Sequence, residues 1–239
     1  MLSSAMLKVA ALIAAMLAER VAYTPPNARP HAEEMSAHGS GDALIHYAHV
    51  LSYSTLVSSW AVCACEIAAL LARESRTPVA SAVISFLSKG PSSVHRLAIT
   101  SPFRVGLLTL ICGAAVRKWC FRTLGRHFTF QLALRKEHKL VTSGPYAIIR
   151  HPAYTGLLLA LAGTAATELA AGGWLRESGW LGTTLGRAAA ALRVAGMVVT
   201  CVGLVRRVRK EDEVLRGEFG REWEEWAGRV PYALIPYVY

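Results

Sequence analysis

Apolar runs at 2–18, 45–71, 105–116, 155–171 and 188–205 recur along a chain of 239 residues. A helix needs about 20 predominantly apolar residues to cross hydrocarbon. Every backbone polar group at that depth must be satisfied internally, so only helices and closed barrels can span. Continuous runs of this kind select helices. The expected fold is all-α, a polytopic integral membrane helical bundle. Composition agrees: 53% of residues are hydrophobic and 18% are charged, where a soluble domain carries about a quarter charged. The net charge of +10 fits basic cytoplasmic loops facing anionic lipid. Because the basic residues flank apolar runs and form no separate domain, nucleic acid is not an expected partner.

The first run, 2–18, reads as a retained helix. A signal peptide is the competing reading, but no small-residue cleavage site precedes Glu19. Residues 19–42, rich in Pro, Gly, Ser and His, read as a loop. The second helix is expected from Ile45 to Leu71. Glu66 lies inside it without a partner in the local sequence, which makes it either a functional residue or one near the interface. Residues 73–97 form a mixed connection whose VASAVISFL is too short to span. The next run, Val105–Val116, reaches full length only by including 97–104. Further spans are expected at Thr155–Ala171, ended by Gly172–Gly173, and at Ala188–Val205. Cys63, Cys65, Cys112, Cys120 and Cys201 form no CxxC, and no metal site is expected.

Segment 117–151 holds eight Lys or Arg, and seven more follow residue 205. Both lie on one side of the hairpin 155–205, whose connection carries only Arg176 and Arg187. The positive-inside rule places that side in the cytoplasm. The chain divides accordingly into N-terminal transmembrane helices with connecting loops (1–116) and a C-terminal region (117–239) carrying the hairpin and a tail. In the tail, Leu215, Phe219, Trp223 and Trp226 recur at i, i+4, i+8 and i+11. That spacing predicts an amphipathic helix, lying at the headgroups or on the protein's own cytoplasmic face. RVPYALIPYVY closes the chain as an extended segment.

Two stretches carry candidate chemistry. LVTSGPYAIIRHPAYTG, residues 140–156, stands at the mouth of a span. Gly144–Pro145 forces a turn, and Pro152 keeps His151 out of helical geometry. Tyr146, His151 and Tyr154 can then converge where a helix begins, and that helix start can offer N–H groups to a carboxylate. The bland alternative is a helix cap with interfacial tyrosines and a snorkelling Arg150. The second stretch is RRVRKED, 206–212, in which Arg207 and Glu211 share a helix face at i, i+4. An ordinary surface pair at a helix exit is the competing reading. The hairpin returns the chain to the membrane surface it left, so the two stretches can meet.

LVTSGPYAIIRHPAYTG, followed by an apolar span and then by RVRKEDEVLRGEFGREWEEW and RVP, resembles the isoprenylcysteine carboxyl methyltransferase family. The likeness runs over about 113–239, with GAAVRKWCFRTLGRHFTFQ upstream. It implies a multi-pass enzyme of the endoplasmic reticulum membrane whose catalytic face is cytoplasmic. The enzyme would transfer a methyl group from S-adenosyl-L-methionine to the carboxylate of the C-terminal prenylated cysteine of processed CaaX proteins. It also implies a cofactor site at Gln131, His138, Lys139, Leu140, Val141, Tyr146, His151, Pro152, Ala153 and Tyr154, completed by Glu211. Arg207 would face the substrate carboxylate, and Arg207 and Glu211 would be the catalytic pair. The chain departs from the family pattern in Trp223 and Trp226, where Tyr is frequent, and in the RVP-to-Pro spacing. Glu168 has no counterpart in the pattern. Rival readings are a phospholipid N-methyltransferase, a sterol-reductase-like protein and a non-enzymatic membrane protein.

Overall fold

A computed structural model describes residues 3–27, 43–75, 77–90, 93–125, 128 and 139–238, with side chains excluded over 43–49. Its long helices are α1 (Ser4–Tyr23), α2 (Ala43–Glu74), α3 (Pro78–Leu87), α4 (Ser101–Leu124), α5 (Pro152–Leu169), α6 (Thr184–Phe219) and α7 (Arg221–Arg229). Single turns at Val94–Arg96, Gly144–Ala147, Trp174–Glu177 and Trp180–Gly182 connect them. Among the described residues there is no strand, so the all-α expectation holds. Among the described residues, three helical stretches are long and apolar enough to cross a membrane: Val50–Glu74, Pro152–Glu177 and Thr184–Phe219.

Helix starts follow ordinary capping chemistry. Ser3, Thr77, Thr100 and Thr183 each accept a backbone N–H from the residue three positions on, satisfying donors that the first turn leaves over. Thr100 opens α4 at Ser101, so that helix takes in part of 97–104 as expected.

The helices α4 and α5 pack most closely, and glycine makes this possible. Gly106 and Gly113 of α4 face Gly156 and Gly163 of α5. A Cβ built on Gly163 would lie 2.4 Å from the Leu110 nitrogen, and one on Gly113 would lie 2.6 Å from the Gly156 oxygen. Backbone meets backbone here, the close approach that small residues permit in membrane helix pairs. Around this pair, Ala15, Ala22 and Tyr23 of α1 and Leu56 of α2 pack with Leu110, Ala114, Leu157, Ala160 and Leu161.

Several expectations are corrected. The first helix continues past residue 18 to Tyr23, so the polar loop begins later than 19. Glu19 and Tyr23 explain this, because both are buried against α5, each in contact with the Thr164 hydroxyl. The runs at 2–18 and 105–116 are helices of the bundle, of 20 and 24 residues, and neither is among the stretches apolar enough to cross by composition, since α1 carries Lys8, Glu19 and Arg20 and α4 carries four cations. Helix α4 also runs on through the start of the basic segment to Leu124. There Arg117 turns inward, 2% exposed, and donates to the Ala153 carbonyl at 3.0 Å. The tail is not one helix with a single face. The last span continues unbroken to Phe219, and Gly220, at φ +50°, breaks the chain before α7. Loop residues 28–42 lie outside the described residues.

Candidate active site

The turn at Gly144–Ala147 places Tyr146, and the non-helical His151 (φ −123°, ψ 57°) stands at the threshold of α5. Gly144 takes φ +61°, and a Cβ there would come within 3.1 Å of the Thr123 hydroxyl. Both constraints were expected from Gly144–Pro145 and Pro152. Tyr146 is buried in an apolar cluster with Cys120, Phe128, Ala153, Trp226 and Val230, against which Leu140 and Val141 pack. Burial pushes its phenol well above the usual tyrosine range, so it stays neutral. The indole of Trp226 donates to the Tyr146 carbonyl at 3.1 Å, so Trp226 is a packing residue of the protein's own face.

The two stretches meet. The Tyr154 hydroxyl of α5 donates to the Glu211 carboxylate of α6. Arg207 stands 3.8 Å from the same carboxylate and 5.7 Å above the Tyr154 ring centroid. The rings of His151 and Tyr154 stack at 5.6 Å, with 5° between their planes. Glu211 keeps about a quarter of its side chain exposed, whereas Arg207 keeps about a tenth. The pair therefore lies at the edge of the protein and not in its core.

Asp212 is the residue that sequence reasoning missed. One of its oxygens lies 2.9 Å from the His151 Nε2, and the other accepts from the Arg150 guanidinium at 3.2 and 3.3 Å. Its position next to Glu211 was the available signal. Two consecutive acids on one helix lie about 100° apart, so together they can reach two neighbouring sites on a facing segment.

The closing segment completes the arrangement. The backbone N–H groups of Arg150 and His151 donate to the carbonyls of Tyr232 and Ala233 at 2.9 and 2.8 Å. The Thr155 hydroxyl donates to the Leu234 carbonyl, and Arg150 also reaches Val230 and Pro231. The Tyr154 and Thr155 N–H groups turn back to the His151 carbonyl. These four N–H groups are thus occupied by the protein and are not the ones the helix start can offer to a carboxylate. A cavity of about 420 Å³ opens beside this strap, lined by Arg150, Val208, Arg209, Asp212, Tyr232 and Val238 among others.

Of the other expected site residues, Pro152 and Ala153 are buried in the first turn of α5. Lys139 is exposed. Gln131 and His138 lie outside the described residues. Among the described residues, no cluster of His, Cys, Asp and Glu could hold a metal ion.

Residues 105–171 match the isoprenylcysteine carboxyl methyltransferase family model. That stretch holds most of α4, the His151–Tyr154 turn and α5, and stops short of the Arg207–Glu211 pair. The protein-S-isoprenylcysteine O-methyltransferase B of Arabidopsis thaliana is 35% identical over 135 residues, 56% of this chain and 58% of the relative. A probable protein-S-isoprenylcysteine O-methyltransferase of Oryza sativa subsp. indica is 32% identical over 136 residues, 56% of this chain and 61% of the relative. A Delta(14)-sterol reductase of Mus musculus is 33% identical over 102 residues, 42% of this chain and 20% of that protein. The chain thus spans about three fifths of the length of the methyltransferases it matches.

Proposed function

We propose that this chain is a membrane methyltransferase that esterifies the C-terminal prenylcysteine carboxylate of processed CaaX proteins. S-adenosyl-L-methionine is the donor. The observation that carries the reading is the contact of Tyr154 with Glu211, because it joins the segment inside the family match to the Arg207–Glu211 pair outside it.

The chemistry suits these residues. The acceptor is a terminal carboxylate with a pKa of about 3.5. It is ionised near pH 7, so no general base is required. The donor, when bound, supplies a methyl group on a sulfonium cation. What remains for the protein is positioning and the exclusion of water. Arg207 orients the incoming carboxylate. Its guanidinium stands 3.8 Å from the Glu211 carboxylate and over the Tyr154 ring, at the place where the two stretches meet. Glu211 and Tyr154 offer a partly exposed acceptor and hydroxyl of the kind that hold an amino-acid ammonium or ribose hydroxyls. Leu140 and Val141 supply an apolar wall. The donor set therefore fits the cofactor in chemical type.

The polar face belongs in the cytoplasm of an endoplasmic reticulum membrane, where the soluble donor arrives. The prenyl group arrives through the lipid, and substrates of opposite solubility then meet at the membrane mouth. The test is methyl transfer from labelled S-adenosyl-L-methionine to N-acetyl-S-farnesylcysteine in membranes, comparing wild type with Glu211→Ala. Base-labile methyl ester from wild type and not from the variant is the expected result. Label entering phosphatidylethanolamine instead would replace this reading with a phospholipid N-methyltransferase.

A further inference from the structure

Helix α6 presents two consecutive acids to the start of α5, and the proposed reaction employs only the first. Asp212 is nevertheless the better connected of the two. Its Oδ1 lies 2.9 Å from the His151 Nε2, and its Oδ2 accepts from two nitrogens of Arg150. His151 is 4% exposed and has no side-chain capping bond to its own helix. Its backbone N–H is taken by the strap and its carbonyl by Tyr154 and Thr155. The ring is thus held by two contacts of different kinds, the Asp212 carboxylate at Nε2 and the stacked Tyr154 ring.

We propose that Asp212 is a positioning residue of the methyl-donor site, acting through His151. An ionised carboxylate can only accept a hydrogen bond. Facing Asp212, the ring must therefore carry its hydrogen on Nε2, and Nδ1 becomes the nitrogen able to accept from a ligand. The same carboxylate fixes the tilt of the ring over Tyr154, whose hydroxyl is bonded to Glu211. The two acids of α6 thereby hold two ends of one stacked pair. Arg150 serves as the brace, because it ties Asp212 to the Val230 and Pro231 carbonyls of the strap. Carboxylates that orient a metal-bound histidine change affinity or activity by about 10- to 100-fold when removed, and an orienting role for Asp212 sets an effect of the same order.

Asp212→Asn discriminates, because an asparagine amide can donate to Nε2 and so favours the opposite tautomer. The proposal rests on the methyltransferase reading for its kinetic arm and on chemistry alone for its spectroscopic arm. Selective ¹⁵N-histidine labelling of the full chain in detergent, with His151 assigned by its loss in His151→Gln, should show the Nε2–H tautomer in wild type and its loss in Asp212→Asn. Asp212→Asn should also raise the dissociation constant of S-adenosylhomocysteine, read by calorimetry, on the order of 10- to 100-fold. It should change the KM for N-acetyl-S-farnesylcysteine far less. Asp212→Glu should recover part of the loss. In the His151→Gln background, Asp212→Asn should have little further effect on donor affinity.

An unchanged tautomer, or an equal loss of donor affinity with and without His151, would overturn the proposal. So would a loss of thermal stability with donor affinity intact. Failure of wild type to form ester would count against the methyltransferase reading and leave the tautomer result to decide the Asp212–His151 coupling.

Discussion

Lys8 of α1 and Glu66 of α2 form an ion pair at 2.5 Å inside the bundle, with their side chains 1% and 3% exposed. Lys8 also donates to the Gly172 carbonyl, and Glu66 accepts from the Trp174 N–H at 3.1 Å. The pair ties two N-terminal helices to the far end of the α5 hairpin. Glu66 is therefore a structural residue of the interior, remote in sequence from the partner that satisfies it.

Removing one member leaves the other charged and buried. Lys8→Met should cost about 3–5 kcal/mol of stability, while Lys8→Met with Glu66→Leu should cost much less. Thermal unfolding of the purified protein in detergent measures both. Equal losses in the single and the double variant would count against a buried pair.

The crossing of α4 and α5 has no room for a methyl group. Gly163→Ala forces a carbon to within 2.4 Å of the Leu110 backbone and should destabilise by about 1–3 kcal/mol or more. Gly196→Ala is the control, because nothing lies within 4 Å of that position. That change should be neutral or stabilising by up to about 1 kcal/mol. Melting temperatures of the two variants should move in opposite directions or differ clearly in size.

The strap holds the mouth of α5. Truncation after Gly228 removes the carbonyls that accept from Arg150, His151 and Thr155. Misplacement of His151 and Tyr154 should then lower methyl transfer on the order of 10²-fold, with the protein still extracted as a folded species. Full activity in a truncated, folded protein would show that the strap has no part in the site.

How much of this could be read from sequence depends on the range of each interaction. The turn chemistry of Gly144, Pro145 and Pro152 is local, as is the i, i+4 spacing of Arg207 and Glu211, and both kinds of feature emerged as expected. The end of the α5 run at Gly172–Gly173 is local as well. Lys8–Glu66 and the contacts of Glu168 with Arg193 and Ser59 join different helices, so no window of the chain displays them. By sequence Arg117 is one of the eight cations of the cytoplasmic segment 117–151. Its burial, its bond to the Ala153 carbonyl and its place over the Phe121 and Phe128 rings show that it faces inward. In the tail, the apolar spacing from Leu215 to Trp226 is regular, yet Gly220 adopts a positive φ and redirects the chain. A periodicity count does not register such a break. Asp212 was hidden by its neighbour, since the i, i+4 rule selected Glu211 and stopped there.

The central claim is that the two stretches form one site, with Arg207 facing the acceptor carboxylate and Glu211 the donor. Steady-state kinetics of Arg207→Ala, varying S-adenosyl-L-methionine and N-acetyl-S-farnesylcysteine in turn, tests it most directly. The account predicts a raised KM for the prenylcysteine and a lowered kcat, with the KM for the donor nearly unchanged. A raised donor KM with the prenylcysteine KM intact, or no ester from the wild-type protein, would contradict it.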